Sequence, residues 1–217
     1  MQTVILNDTS LESHHGCEEV ISNIKKLALR NGIEVIDTHP AGSNWQESSN
    51  FLLSILKCDI VIVNGEGTLH HGQLRARELI TIAKYVKENI NIPIVLINST
   101  YQENGDKIAE YTRYFDLIYV RETLSKRDLE SYGIKSKVVP DMTFYTEFDL
   151  SKKIELDTIG VSDSVYTRLS EELFDLCLAK NYKYLPALTR PKIELNSLRN
   201  IVRYLKHLSL IHISEPT

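Results

Sequence analysis

The sequence predicts an α/β fold built on a Rossmann-like, doubly wound parallel sheet. Short β-branched runs alternate along the chain with longer amphipathic runs, which is the pattern of repeated strand–helix units. The clearest run, residues 59–63, is almost wholly apolar, as in strands buried on both faces of a parallel sheet. Helical patterns stop at Gly32 and Gly133, and glycine there is a helix C-cap signal. Right-handed crossovers between such units would cover both faces of the sheet with helices.

The elements of the first part of the chain follow in a regular order. Strands are predicted at residues 3–6, 34–37, 59–63, 94–98, 117–120 and 137–139. Apolar residues at helical spacing predict helices within residues 20–28, 51–55, 79–86, 108–114 and 124–132. We expect this N-terminal Rossmann-like domain to span residues 1–145 and to end near Pro140 and Asp141.

The strand–helix pattern restarts after residues 146–156, which are polar and predicted to form a linker. Residues 157–207 are predicted to begin a second Rossmann-like domain that is truncated. Its predicted elements are strands at 158–161 and 182–185 and helices at 170–179 and 195–207. Residues 208–217 resemble the translation of a transposon-end sequencing adapter. We therefore expect the natural reading frame to be cut near His207, and we leave the tail out of fold reasoning.

Composition excludes several classes of protein. The formal charge is −4, so no basic excess predicts a nucleic-acid partner. The apolar runs are too short to span a bilayer. A strand pattern begins directly after Met1, so we expect no signal peptide and a cytoplasmic protein. Cys17, Cys58 and Cys177 are widely spaced and outside any CxxC pattern, which indicates reduced thiols rather than disulfides or a zinc site.

A glycine-containing segment, residues 64–68, directly follows the predicted strand at 59–63. We predict a glycine turn there, between the strand and the next helix. In open α/β sheets ligands bind at this carboxyl edge. Glycine lets backbone N–H groups approach an anion, and a helix N-terminus adds partial positive charge. The turn is a candidate binding site for a phosphate, a carboxylate or a sugar. Glycine at this position is equally consistent with a tight turn that binds nothing.

Polar residues also follow other predicted strands, and parallel strands all end at the same edge of a sheet. A guanidinium at a strand end, as at Arg121, suits bidentate contact with a carboxylate or phosphate, but Arg121 also has a structural alternative as the partner of Glu122. Thr123 is predicted to cap the next helix. The predicted substrate-binding residues are Asp8, His15, Gly16, Gly65, Glu66, Gly67, Thr68, Asn98, Arg121, Glu122, Ser125 and Asp141.

The catalytic candidates are Arg121, Glu66, His14 and His15. Of two adjacent histidines at most one is expected to face a ligand, and Asp8 has an alternative role as a turn former or cap. Imidazole is a common ligand of zinc, copper and nickel. The histidine pairs lack HxH or HxxxH spacing, so we predict no metal site.

Segments spread over the first domain resemble the polysaccharide pyruvyl transferase family in order and spacing. They are residues 7–17, 58–71, 93–104, 116–134 and 138–144. The resemblance implies two Rossmann-like domains facing across a cleft, as in B-type glycosyltransferases. It implies transfer of a pyruvyl group from phosphoenolpyruvate to a sugar, as a ketal, in envelope polysaccharide assembly. No cofactor is implied beyond that co-substrate, and a lipid-linked oligosaccharide acceptor would bring the protein to the membrane surface.

The same resemblance implies roles for particular residues. Arg121 corresponds to the family's arginine and is a candidate contact to the anionic donor. Gly65, Gly67 and Thr68 correspond to the family's glycine turn, and Glu66 between them departs from its pattern. That carboxylate makes an anion at the turn less favourable and a hydroxyl-bearing sugar more so. The relatives' catalytic histidine lies in the second domain, beyond the expected truncation.

Pyruvyl ketal formation needs a proton donor for the enol carbon, a base for the sugar hydroxyl and cations for the phosphate. Arg121 is the candidate cation, and Glu66 or Asp8 is the candidate base. A histidine near residues 14–15 or 70–71 would supply a group that titrates near neutrality. The alternative function is a B-type glycosyltransferase that uses a nucleotide sugar, because fold does not decide between these chemistries. A third interpretation is an acceptor-binding half without activity of its own.

Overall fold

A computed structural model describes residues 1–147, 159–164 and 166–188, together with residues 198, 201, 202 and 205. The chain divides into two compact units. The first unit comprises Met1–Leu11 and Glu19–Thr146, and the second comprises Glu12–Glu18 and Glu147–Thr217. The predicted domain limits stay predictions, because most of the linker at 146–156 and all of the tail at 208–217 lie outside the described residues.

The first unit contains a six-stranded sheet in which every strand pair is parallel. Its strands are β1 (Gln2–Asp8), β2 (Glu34–Pro40), β3 (Ile60–His70), β4 (Ile94–Gln102), β5 (Leu117–Val120) and β6 (Lys137–Val138). The order across the sheet is β2-β1-β3-β4-β5-β6. This arrangement confirms the predicted Rossmann-like α/β fold. Since the chain adds β2 on one side of β1 and β3 on the other, the topological switch point lies between β1 and β3.

Each predicted helix of the first domain is present. They are α1 (His15–Arg30), α2 (Ser49–Ile55), α3 (Leu74–Asn89), α4 (Asp106–Thr112) and α5 (Thr123–Ser131). Two details of α5 were predicted wrongly. The N-cap position is occupied by Glu122, not Thr123. Leu124, which begins the apolar pattern that predicts this helix, does not lie on its buried face. It is 68% exposed, because the inward face carries Ser125 and Leu129.

The core lies on both faces of the sheet, as strand alternation requires. On one face Ile5 packs against Val20, Ile21 and Ile24 of α1. On the other face a larger cluster joins the sheet to α2, α3, α4 and α5. Its fully buried members include Val4, Val61, Val63, Phe51, Ile55, Ile80, Ile82, Leu96, Ile108 and Leu129.

The predicted glycine turn after residue 63 is wrong, because β3 continues to His70. Glu66 pairs with Ser99 and His70 pairs with Gln102, with a register shift between Glu66 and Leu69. We call residues 65–70 and 99–102 the β3–β4 extension. The chain turns only at His71 and Gly72, which have φ of 51° and 57°, before α3. The glycines therefore lie within a strand, and Gly65 is needed there because an added Cβ would lie 2.4 Å from Ser99 Oγ.

The second unit contains a parallel strand pair, β7 (Gly160–Ser162) and β8 (Lys183–Leu185), joined by α6 (Thr167–Lys180). This is the strand–helix–strand order that the sequence predicts at 158–185. The backbone N–H of His15 donates to the carbonyl of Ala187 over 2.9 Å. Asp163 accepts hydrogen bonds from the backbone of the same segment. The predicted helix at 195–207 falls mostly outside the described residues.

Candidate functional site

Three buried asparagines link β1, β3 and β4 in a row near their carboxyl ends. Asn7, Asn64 and Asn98 are 6%, 0% and 1% exposed. Asn7 Nδ2 donates to the carbonyl of Asn64 over 2.7 Å, and Asn64 Nδ2 returns a bond to the carbonyl of Asn7 over 3.2 Å. Asn98 Nδ2 donates to Asn64 Oδ1 over 3.4 Å. The row crosses the switch point between β1 and β3, where wound sheets bind ligands.

Backbone conformation explains why asparagine serves at two of these positions. Asn7 and Asn98 have φ of 66° and 54°, a left-handed region that asparagine enters more readily than most side chains. Glu66, also in this region at φ 42°, has no such preference. Its partly exposed carboxylate lies 3.4 Å from Asn64 Nδ2. Strain at a non-glycine residue beside a ligand edge is typical of functional sites.

The β3–β4 extension joins the asparagine row through Thr68, whose Oγ1 accepts from Asn7 Nδ2 over 3.1 Å. Gly67 is exposed, and an added Cβ would meet no atom of the described chain within 4 Å. Of the two glycines, only Gly65 is therefore fixed by close packing. The extension presents Glu66 and Thr68, a carboxylate and a hydroxyl that can both bond sugar hydroxyls.

Asp8 is almost fully buried at the end of β1. Its Oδ1 accepts from the backbone N–H and hydroxyl of Ser10 over 2.9 and 2.6 Å, and Lys25 Nζ lies 3.9 Å from Oδ2. Burial raises the pKa of Asp8, but hydrogen bonds from Ser10 and Thr38 and the charge of Lys25 outweigh it, so the pKa lies below its ordinary value. Asp8 is thus an ionised cap of the loop after β1, which weakens it as a candidate base.

Arg121 leaves β5 and forms a close ion pair. Its Nη1 lies 2.7 Å from Asp141 Oδ2, and its Nη2 donates to Thr100 Oγ1 over 2.7 Å. The predicted alternative, a pair with Glu122, is replaced by this contact. The other oxygen of Asp141 accepts from the backbone N–H and hydroxyl of Thr143 over 2.9 and 2.8 Å. The guanidinium therefore joins β4, β5 and the turn that begins at Met142.

Burial and hydrogen bonding act in opposite directions on Asp141. Burial raises its pKa, but the bonds from Thr143 and the Arg121 guanidinium outweigh that cost and hold the pKa below its usual range. The pair is ionised at neutral pH. Arg121 is 26% exposed, and its guanidinium has further N–H groups that can serve a ligand.

Glu122 and Ser125 form a structural contact. The Ser125 hydroxyl donates to Glu122 Oε1 and accepts from the backbone N–H of Tyr101 over 2.6 Å. Ser125 is 1% exposed, so its hydroxyl is fully used in holding α5 against β4. The sequence singled out both residues, and the structure gives them this packing role.

The carboxyl edge of the first unit brings most of the predicted site together. Those residues are Asp8, Gly65, Glu66, Gly67, Thr68, Asn98, Arg121, Glu122, Ser125 and Asp141. His14, His15 and Gly16 belong to the second unit, where His14 Nδ1 accepts from the backbone N–H of Gly16 over 3.1 Å. Among the described residues no group of three or more His, Cys, Asp or Glu side chains is arranged to hold a metal ion.

Sequence reasoning missed Asn7 and Asn64 as a structural pair, and it missed Thr100 as a partner of Arg121. A signal was present for the asparagines: strands β1, β3 and β4 each carry one where the apolar run stops. For Thr100 no sequence pattern points to Arg121, because the contact depends on how β4 and β5 align.

Comparison with known proteins gives two findings. A 121-residue stretch is 26% identical to GID complex subunit 5 of Schizosaccharomyces pombe, covering 56% of this chain and 14% of that protein. The polysaccharide pyruvyl transferase family model matches residues 16–212. That match covers the β3–β4 extension, the asparagines of β3 and β4, and the Arg121–Asp141 pair. It extends over most of both units, and on this basis the chain belongs to the polysaccharide pyruvyl transferase family.

Proposed function

We propose that the complete protein transfers a pyruvyl group from phosphoenolpyruvate to a sugar of an envelope polysaccharide. The observation that supports this most directly is the cluster of polar side chains at the carboxyl edge of the sheet, at its topological switch point. The chain that carries this edge belongs to the polysaccharide pyruvyl transferase family. Hydrogen bonds from the asparagines link β1 to β3 at this edge, and Glu66 and Thr68 lie on the β3–β4 extension next to them. Preorganised hydrogen-bonding groups of this kind are what recognition of a sugar requires.

In this proposal the acceptor sugar binds against the β3–β4 extension. Glu66 accepts hydrogen bonds from sugar hydroxyls, and its negative charge keeps an anion away from that position. Arg121 contacts the anionic donor through the N–H groups that Asp141 and Thr100 leave available. Asp141 fixes the plane of the guanidinium, which lowers the entropy lost on donor binding.

We propose a cytoplasmic location and an acceptor that is a sugar or a lipid-linked oligosaccharide. In the described parts of the chain, no helix has the length and apolar character needed to cross a bilayer. We also propose that residues 157–207 begin a second Rossmann-like domain, which would hold the remaining catalytic groups. The chain carries a net charge of −4, so nucleic acid is no part of the proposal.

The test uses the complete protein and measures binding and transfer separately. Saturation-transfer NMR reports sugar binding, and phosphate release from phosphoenolpyruvate reports transfer to a panel of vicinal and 4,6-diol sugars. We expect Glu66→Gln to weaken sugar binding and Arg121→Ala to weaken phosphoenolpyruvate binding, each about ten- to hundredfold, as for loss of a charged hydrogen bond. Glu110→Ala, an exposed substitution on α4, is the matched control.

Two results would contradict the proposal. One is transfer of a glycosyl group from a nucleotide sugar with no turnover of phosphoenolpyruvate. The other is unchanged sugar and phosphoenolpyruvate binding in both variants, which would show that the polar edge serves the fold alone.

A further inference from the structure

The segment that follows β6 is fixed to two other parts of the first unit through its backbone. Residues 141–146, which we call the 141–146 segment, contain one turn of 3-10 helix at Met142–Tyr145. The backbone N–H of Met142 donates to Asn98 Oδ1 over 3.0 Å, and its carbonyl accepts from Asn23 Nδ2 over 2.8 Å. Asn98 lies on β4 and Asn23 on α1. Both backbone polar groups of Met142 are therefore bonded to side chains of the same unit.

Asn23 is a polar residue at a fully buried position of α1. It is 0% exposed, and the other buried residues of this helix are the apolar Val20, Ile21, Ile24 and Ala28. A buried amide costs free energy unless its polar groups find partners. Its Nδ2 donates to the carbonyl of Met142 and, over 2.9 Å, to the hydroxyl of Thr146. Because a satisfied buried amide adds little net stability, its main contribution is to specify where the 141–146 segment lies.

The residue before Met142 carries the carboxylate that holds Arg121. Asp141 Oδ1 accepts from the backbone N–H of Thr143 over 2.9 Å, and Oδ2 lies 2.7 Å from Arg121 Nη1. Since Asp141 and Thr143 flank Met142 in the chain, a displacement of Met142 displaces this carboxylate as well. The position of the carboxylate in turn determines the plane of the guanidinium, and with it the direction of the N–H groups that remain for a ligand.

We propose that Asn23 and Asn98 are positioning residues for Arg121. They hold the backbone of Met142, which places the Asp141 carboxylate that orients the guanidinium. Asn98 then acts through its two protein partners, Asn64 Oδ1 and the N–H of Met142, and not through the substrate contact that the sequence predicts. The orientation of Arg121 stands on these hydrogen bonds, whereas its consequence for phosphoenolpyruvate rests on the proposed function.

Loss of this positioning has a defined kinetic consequence. Without Asn23 the ion pair between Arg121 and Asp141 can still form, but the segment that carries Asp141 loses one of its two backbone anchors. The guanidinium then has more orientations to give up when an anion binds, so affinity for the donor falls. Arg121 would contact the donor both before and during transfer. A loss of uniform binding of this kind raises the donor KM and leaves kcat nearly unchanged.

The first experiment observes Arg121 without any substrate. In the complete protein with ¹⁵N-arginine, ¹H–¹⁵N NMR resolves separate Nη signals for a guanidinium whose rotation is restricted, and Arg121→Lys assigns them. We expect resolved signals in the parent and in the control Asn50→Ala, an exposed position on α2, and merged signals in Asn23→Ala. If Asn23→Ala does not fold, the nearly isosteric Asn23→Asp, which lacks the amide donor, should show the same merging. Unchanged Arg121 signals in a folded Asn23 variant would overturn the positioning role.

The second experiment measures turnover in the complete protein. The Asn23 variant that folds should raise the KM for phosphoenolpyruvate about two- to tenfold, as for loss of one neutral hydrogen bond, with kcat nearly unchanged. In an Arg121→Ala background the same substitution should add nothing, because the residue through which Asn23 acts is already absent. Additive effects, or an unchanged KM in the single variant, would overturn the role in donor binding while leaving the proposed function standing. A protein that binds no phosphoenolpyruvate overturns the proposed function, and the NMR result then still decides whether Asn23 positions Arg121.

Discussion

Replacing Gly65 by alanine tests the close approach of β3 to β4. An added Cβ would lie 2.4 Å from Ser99 Oγ, 2.5 Å from Ser99 Cβ and 3.0 Å from its Cα. Rotating the Ser99 hydroxyl relieves only the first contact, so the two strands must separate. Overpacking of this kind costs about 1–3 kcal/mol, which corresponds to a loss of roughly 2–12 °C in Tm for a chain of this size. Thermal and urea unfolding measure the effect.

Gly67→Ala is the matched control, because a Cβ at Gly67 meets open space in the described structure. We expect its Tm to stay close to that of the parent. The double substitution Gly65→Ala with Ser99→Gly removes the clashing Cβ and hydroxyl, so the two changes should be less damaging together than their sum. Equal stability of Gly65→Ala and Gly67→Ala, or strict additivity in the double variant, would refute the packing argument.

Two further predictions concern the buried polar contacts. The pKa of Asp141 is lower in the folded protein than in the unfolded chain, so its ionised form stabilises the fold. This stabilisation is fully present at pH values above the unfolded pKa of about 3.9. It is lost as the pH falls through the lower pKa of the folded protein. Asp141→Asn should therefore lower the free energy of unfolding at pH 7 and make that free energy fall less steeply as the pH is lowered. Urea unfolding of the parent and the variant across pH 2–7 measures both effects. Equal dependence of the unfolding free energy on pH in the two proteins would contradict the prediction. Ser125→Ala should lower the free energy of unfolding by about 1–3 kcal/mol, because it leaves the buried N–H of Tyr101 unpaired. The control Ser131→Ala, at an exposed position, should be nearly neutral. Equal urea midpoints of the two variants would refute the role assigned to Ser125.

The strands were predictable because their signal is strong and local. The β-branched runs around Val4, Val61 and Val95 place β1, β3 and β4, and each is buried as the patterns require. The error at the end of β3 has a physical cause. Gly65, Glu66 and Gly67 have low strand propensity, and the sequence alone therefore predicts a turn. Pairing with β4 outweighs that propensity, since β4 supplies the hydrogen-bond partners.

The site was less predictable than the fold because its contacts join residues far apart in sequence. The ends of β5 and β6 were predicted to within one residue, so Arg121 and Asp141, which follow them, were both expected at the carboxyl edge. Their mutual ion pair was not predicted, because it depends on the turn after Asp141 directing that carboxylate towards β5. The role of Ser125 was obscured for a similar reason: a serine inside a helix carries no sign that its hydroxyl accepts from another strand.

Gly65 connects the fold to the proposed chemistry. Its lack of a side chain lets β3 stay paired with β4 past the asparagine row, and this continued pairing places Glu66 and Thr68 next to that row. If Gly65→Ala separates the strands, the fold can persist through its large core while the extension shifts. Catalytic geometry is sensitive to displacements of about 1 Å, so this variant should lose sugar binding and transfer more steeply than it loses stability. The close approach of β3 to β4 at Gly65 would then explain why residues of low strand propensity form a strand at this position.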